Sequence, residues 1–148
     1  MRQLPIVWKR LVKDGNTCER CGSTWLQLQA AVGKLEIALG PLGIQPVLKM
    51  ETIDERTFKA EPSESNRIFL AGRPMEQWIG ATAGMSRCCS VCGDSDCRTL
   101  ELDGAAYETI PAELIIKAGL VAASQLLAPS AMTQPESASC GCGTCPGK

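Results

Sequence analysis

The sequence predicts an α/β fold: a four-stranded mixed sheet flanked by helices, with a cysteine-rich insert before the last helix. Three observations predict it. A strand, a helix and a second strand follow one another early in the chain, a β-hairpin comes next, and the last apolar stretch has helical periodicity. A strand–helix–strand unit joins parallel strands, whereas a hairpin adds antiparallel ones. The chain of 148 residues suffices for one hydrophobic core, which we assign to a domain over residues 1–128.

The first half of the chain contains the predicted strand–helix–strand unit. The run LPIVWKRLV (4–12) is apolar and β-branched, which predicts a strand. Apolar residues between 23 and 39 recur on one helical face, and Gly40 followed by proline ends that helix. The run IQPVLKMETI (44–53) predicts the second strand. Pro46 restricts this strand to an edge of the sheet, because proline cannot donate a ladder hydrogen bond.

The second half begins with a short irregular or helical segment (54–66). The run RIFLAGRPMEQWI (67–79) predicts a tight hairpin of two strands about an Ala-Gly-Arg-Pro turn. An insert of about thirty residues follows (80–109), and IPAELIIKAGLVAASQLL (110–127) predicts the last helix, with proline in its first turn. The remaining stretch (129–148) is rich in proline, serine and glycine, which predicts a flexible tail that contains cysteines.

Charge and hydropathy indicate which classes of partner and which compartment to expect. The chain has 15 basic and 16 acidic residues and no run of lysine or arginine, so we expect no nucleic-acid partner. The first fifteen residues contain no apolar run typical of a signal peptide. The apolar stretch LIIKAGLVAASQLL is interrupted by Lys117 and is too short to cross a bilayer. We therefore expect a cytoplasmic protein without membrane insertion, and the oligomeric state stays open.

The cysteines are the main functional signal, because the chain has nine cysteines and no histidine. In a reducing compartment, this composition favours metal binding or thiol redox chemistry over structural disulfides. An odd count also excludes complete internal pairing. The cysteines form three groups: Cys18 and Cys21; Cys88, Cys89, Cys92 and Cys97; and Cys140, Cys142 and Cys145.

The first group is a Cys-x-x-Cys motif, CERC (18–21), between the first strand and the first helix. The N-terminus of a helix favours a thiolate, and Arg20 adds positive charge inside the motif. In a redox reaction, Cys18 would be the exposed nucleophile and Cys21 its more buried partner. The motif is therefore a candidate catalytic pair as well as a candidate pair of metal ligands.

The other two groups are candidate metal ligands. Residues 88–97, which we call the cysteine segment, contain four thiols whose spacing suits tetrahedral zinc. That zinc could equally be a structural clip that orders the insert. The tail ends in CGCGTC, and its Cys-x-Cys spacing suits Cu(I), Hg(II) or As(III). A disordered tail with adventitious thiols is the alternative.

Several of these features resemble the thioredoxin superfamily at its small, glutaredoxin-like end. CERC (18–21) lies where that family keeps its Cys-x-x-Cys, the strand with Pro46 lies where the family has its edge strand, and SNRIFLAGRP (65–74) resembles the glutaredoxin stretch that forms the hairpin. The resemblance covers residues 4–79 and 110–127. The layout also resembles an uncharacterised family of bacterial cysteine-rich domains, which implies no activity.

The chain also departs from that superfamily. Where thioredoxins have a cis-proline that faces the Cys-x-x-Cys motif, this chain has Asn66, preceded by Ser65. In the superfamily, this proline fixes the backbone that receives a substrate peptide and keeps metal away from the thiols. Its replacement therefore favours access of metal and makes disulfide exchange with proteins less assured.

The predicted topology brings two of the cysteine groups together. The first strand delivers Cys18 and Cys21 to its C-terminal edge of the sheet. The second strand of the hairpin returns to the same edge, so the insert (80–109) begins beside CERC. We therefore predict that the cysteine segment (88–97) is a neighbour of Cys18 and Cys21.

Three hypotheses about function follow from this arrangement. The first is a protein that carries or sequesters a soft metal or metalloid ion, of the zinc, copper, mercury or arsenic class, with that ion or a metal-handling protein as its partner. The second is a thiol–disulfide oxidoreductase that uses the motif at 18–21, in which Cys18 attacks and Cys21 or a cysteine of the cysteine segment resolves the mixed disulfide. The third is an iron–sulfur protein. In the third, four of five cysteines would hold a [2Fe–2S] cluster: Cys18, Cys21, Cys89, Cys92 and Cys97.

Overall fold

The structure is a computed structural model that describes residues 2–12, 15, 19–87 and 96–127. It is a mixed α/β structure with a four-stranded mixed sheet, a three-stranded antiparallel sheet and helices. The predicted four-stranded sheet is therefore confirmed, whereas the second sheet was not predicted. Within the described ranges, no helix is long and apolar enough to span a bilayer.

Two long strands form the centre and one edge of the larger sheet. Strand β1 (Arg2–Leu11) pairs in parallel with β2 (Ile44–Ile53) along its whole length. The strand order is β2-β1-β3-β4, so β2 lies at the edge, as Pro46 predicted. The predicted parallel pair and its edge position are both confirmed.

Two helices pack against each other and cover the buried face of this sheet. Helix α1 (Glu19–Leu39) begins earlier than the predicted residue 23, and helix α4 (Ala112–Leu127) confirms the predicted last helix. A Cβ atom on Gly119 of α4 would lie 2.7 Å from Cδ1 of Leu35. The absence of a side chain at that glycine therefore allows α1 and α4 to approach closely.

The predicted hairpin over 67–79 is wrong in its second half. Strand β3 (Arg67–Leu70) is antiparallel to β1, but its partner β4 (Arg73–Pro74) has only two residues and is followed by helix α3 (Met75–Ile79). Pro74 cannot donate a further ladder hydrogen bond, and it is well suited to precede a helix. Met75 and Ile79 then have the spacing of one helical face, and Met75 is fully buried.

The segment before β3 is short and helical, in agreement with its prediction. Helix α2 (Glu55–Ala60) is followed by a 3₁₀ turn (Pro62–Glu64). Asp54 caps α2, because its carboxylate accepts a hydrogen bond of 2.7 Å from the Thr57 N–H. That hydrogen bond lowers the pKa of Asp54 below its ordinary value.

The insert (80–109) forms the second sheet. Strand β5 (Thr82–Arg87) pairs with β6 (Asp96–Leu102), which pairs with β7 (Ala105–Tyr107), and both pairings are antiparallel. Strand β6 is central and is buried from Cys97 to Leu100. Because both of its faces are covered, β6 lacks the alternation of apolar and polar residues that predicts a strand.

Candidate functional site

Two of the nine predicted site residues, Cys21 and Cys97, lie within the described part of the chain. The other cysteines lie outside the described residues: Cys18, Cys88, Cys89, Cys92, Cys140, Cys142 and Cys145. Among residues 2–12, 15, 19–87 and 96–127, no three cysteine or acidic side chains come together in a metal-binding group. The site is therefore built from Cys21, Cys97 and the residues around them.

Cys21 lies in the first turn of α1, and its side chain is buried, as predicted for the second cysteine of the motif. Its Sγ atom is 3.7 Å from Oγ of Ser65, a hydrogen-bonding distance for sulfur. Ser65 Oγ also accepts a hydrogen bond of 3.2 Å from the Leu11 N–H. Because the backbone donates to this oxygen, the hydroxyl hydrogen of Ser65 can be directed to the sulfur. Ser65, which is hydrogen-bonded to the last residue of β1, thus contacts a candidate ligand.

Asn66, the residue at the predicted cis-proline position, is held by two hydrogen bonds. Its Oδ1 accepts from Trp8 Nε1 at 3.1 Å, and its Nδ2 donates to the main-chain oxygen of Glu108 at 3.4 Å. The backbone of Asn66 has φ of 58°, a left-handed conformation that asparagine tolerates and proline cannot adopt. The polar side chain therefore joins β1 to the end of the insert.

Cys97 lies on β6, opposite Ser86 of β5, and is buried in the same hydrophobic core as Cys21. The sequence identifies Cys97 as one of four thiols in the cysteine segment but does not indicate that it lies in a strand. The structure places it where β5 ends and β6 begins, which we call the hairpin end.

Arg20 connects the start of α1 to this hairpin end. Its Nη2 donates to the main-chain oxygen of Arg87 at 2.8 Å, and its Nη1 is 3.5 Å from the main-chain oxygen of Arg98. The guanidinium also pairs with the carboxylate of Glu108 at 3.3 Å. The Arg20 side chain is only 8% exposed, whereas that of Glu108 is largely exposed. The sequence indicates only an electrostatic role for Arg20 beside the thiols, because the main-chain oxygens that it contacts carry no sequence signal.

Arg98 directly follows Cys97 in β6, and its side chain has two partners outside the insert. Its guanidinium pairs with Glu76 of α3 at 2.8 Å and donates to the main-chain oxygen of Ser63 at 3.0 Å. Both charged side chains are nearly buried. Arg98 therefore anchors β6 to the core, and the carboxylate of Glu76 balances its charge. Glu76 and Glu108 were missed, since neither belongs to a motif.

The chain belongs to a family that is described as "Domain of unknown function (DUF2703)", whose family model matches residues 4–119. A relative from Archaeoglobus fulgidus, described as "Uncharacterized protein", is 41% identical over 113 residues, which cover 76% of this chain and 82% of the relative. No solved structure matches the chain. The family match includes the motif at 18–21 and the cysteine segment, and it ends before the cysteines of the tail.

Proposed function

We propose that this protein binds a soft metal or metalloid ion through its clustered cysteines and carries or sequesters that ion. Thiolates select soft ions, and a chain with nine cysteines and no histidine suits the zinc, copper, mercury or arsenic class. The ion, or a metal-handling protein that delivers or receives it, would be the partner. We place this activity in the cytoplasm, where thiols are kept reduced.

The contact of Arg20 with the β5–β6 hairpin carries this proposal. Arg20 directly precedes Cys21, and the two main-chain oxygens that it contacts belong to Arg87, which precedes Cys88, and Arg98, which follows Cys97. Consecutive Cα atoms are about 3.8 Å apart, so residues adjacent in sequence stay close. The contact therefore supports a single site that draws on thiols from the Cys-x-x-Cys motif and from the cysteine segment.

We also infer that the four-stranded sheet and its helices are a thioredoxin-like fold. The parallel β1–β2 pair with α1 between its strands, the antiparallel β3 and the final α4 support this inference. The position of Ser65 against Cys21 supports it as well, since the superfamily places the residues before this strand opposite its Cys-x-x-Cys motif. This fold carries many functions, so it does not by itself favour ion binding.

The environment of Cys21 favours a second candidate function, thiol–disulfide exchange. In that reaction, the Cys18 thiolate attacks a substrate disulfide and releases one substrate thiolate, and Cys21 then attacks the mixed disulfide and releases the other. The substrate gains two electrons and the motif becomes oxidised. The buried Cys21 beside Ser65 suits the second attack. This candidate requires neither the cysteine segment nor the tail.

The test begins with anaerobic purification of the full chain, followed by elemental analysis and a count of reactive thiols. Competitive binding of Cu(I), Hg(II) and As(III) is then compared between the full chain and a chain truncated at Pro129, with reduction of insulin disulfides measured in parallel. We expect ion binding that weakens on truncation, because Cys140, Cys142 and Cys145 supply late or capping ligands. Strong insulin reduction without ion binding would favour the oxidoreductase. A brown protein that contains iron and sulfide would instead identify the iron–sulfur alternative.

A double variant tests the cysteine segment separately. Cys89→Ser with Cys92→Ser should lower the number of ions bound per chain while the core still folds, because the buried core is formed by apolar side chains of the described helices and strands. Circular dichroism checks the fold. Unchanged ion stoichiometry would exclude the cysteine segment from the site.

A further inference from the structure

Arg20 is enclosed by groups that its guanidinium can satisfy together. It contacts two main-chain oxygens, on Arg87 and Arg98, and the carboxylate of Glu108. The same carboxylate accepts a hydrogen bond of 3.3 Å from the Ser86 hydroxyl on β5. One side chain thus joins the start of α1 to both strands of the hairpin end and to the segment before α4.

The geometry of this contact requires an arginine. A guanidinium presents five donors in a rigid plane, so it reaches two carbonyl oxygens and a carboxylate at once. A lysine ammonium in the same place is a single point charge on a flexible stem, and it cannot hold two separate carbonyl oxygens in fixed directions. The contact therefore fixes orientation as well as charge.

The hairpin does not depend on Arg20 for its attachment to the core. Arg98 holds β6 through Glu76 and the main-chain oxygen of Ser63, and Leu100 of β6 is buried in the core. Removal of the Arg20 guanidinium should therefore leave the insert folded and attached. Removal of the guanidinium should instead change the position of the hairpin end relative to the first turn of α1.

We infer that Arg20 is a positioning residue: it fixes the first turn of α1, which carries Cys21, relative to the start of β6, which carries Cys97, so that these two thiolates bind the same soft ion. This inference rests on the proposed function and deepens it, because it specifies a shared site in place of two independent ones. The guanidinium itself does not bind the ion. It acts through the main chain beside the thiols.

The test uses the full-length, reduced chain and Cd(II), a soft ion whose charge-transfer absorption with sulfur counts the bound thiolates. Arg20→Gln should lower the affinity for Cd(II) by about 10–100-fold, the range seen when an outer partner of a metal ligand is lost. It should also lower the number of thiolates per bound ion. Arg20→Met, which keeps the apolar stem, should do the same, and Arg20→Lys should restore no more than part of the loss. Arg56→Gln removes an exposed charge on α2 and should change neither quantity.

The count of thiolates per ion separates positioning from mere stability, because a less stable chain with an intact site keeps its count. Near-ultraviolet circular dichroism checks that each variant is folded. Unchanged affinity and thiolate count in both Arg20→Gln and Arg20→Met would overturn the inference. Full restoration by Arg20→Lys would also overturn it, since charge alone would then suffice. A wild-type chain that binds none of the ions would overturn the proposed function itself.

Discussion

The β1–α1–β2 unit and the insert are stabilised by different kinds of interaction. In the first, Leu4, Ile6 and Trp8 of β1 are fully buried in the hydrophobic core, so apolar burial determines how the elements pack. In the second, polar contacts add to the burial of Cys97 and Leu100 in tying the sheet to the rest of the molecule: Arg98 pairs with Glu76, and Arg20 contacts the hairpin end. Apolar packing tolerates many side chains of similar size, whereas each polar contact depends on one pair of groups. The position of the insert beside the thiols therefore rests on a few identifiable residues.

The largest effect is expected in the apolar unit. Trp8→Ala removes a buried ring that stacks on Trp25 at 5.3 Å, and it leaves Oδ1 of Asn66 without its donor. Loss of a buried aromatic side chain costs about 3–5 kcal/mol of unfolding free energy. Chemical denaturation followed by circular dichroism measures this cost. Trp78→Ala is the control, since Trp78 is only partly buried, and an equal loss in both variants would contradict the comparison.

A somewhat smaller and more regional effect is expected in the insert. Glu76→Leu leaves the buried Arg98 charge without its carboxylate, and the loss of one partner of such a pair costs about 3 kcal/mol. Hydrogen exchange should accelerate more in β6 than in β1. The double variant with Arg98→Leu should recover part of the stability, because no unpaired charge remains. Equal acceleration in both strands would show that the insert is not a separately stabilised region.

Ser65 lies between the two regions, and its removal should have a modest effect on stability and a clear effect on Cys21. Ser65→Ala removes the hydroxyl 3.7 Å from Cys21 Sγ, with an expected cost of about 0.5–1.5 kcal/mol. The rate of alkylation of Cys21, followed by mass spectrometry, should change. Ser65→Thr keeps the hydroxyl and serves as the matched control. If both variants change the rate equally, the hydroxyl is not responsible.

The smallest effect is expected at the exposed cap of α2. The Thr57 N–H lowers the pKa of Asp54 below 3.8, so this carboxylate stabilises the folded state above the unfolded pKa. The contribution is lost as the pH falls through the folded pKa. Thermal unfolding between neutral and acidic pH measures it. Asp54→Asn keeps a capping side chain but should lose this pH dependence, and a variant with the same acid profile as the wild type would contradict the assignment.

The sequence predicted the apolar unit well, because burial of one sheet face and one helix face leaves a periodic pattern. The β1–β2 pair and α4 follow from that pattern. Helix α3 was taken for a strand, since five residues are too few to distinguish the two periods. Strand β6 was missed because it is buried on both faces.

The candidate site was predictable in part, for a related reason. The motif at 18–21 and the burial of Cys21 follow from local signals, which are a helix start and a spacing. The contacts of Arg20 and Arg98 were not predictable, because their acceptors are main-chain oxygens and carboxylates far away in the sequence. The prediction that the insert lies beside the start of α1 depended on a second hairpin strand, and that segment is in fact helix α3. The Arg20 contact supports that neighbourhood by another route.

The stacked pair of tryptophans gives the molecule an internal optical probe. Two of its three tryptophans, Trp8 and Trp25, lie with ring centroids 5.3 Å apart and planes inclined by 20°. Trp8 donates to Asn66, whose neighbour Ser65 contacts Cys21, so the indole pair is linked to the thiol through adjacent residues. Stacked indoles couple electronically, and their fluorescence and near-ultraviolet ellipticity depend on small changes in their separation. Events at Cys21 can therefore be followed in the unlabelled chain, without consuming a cysteine for a dye.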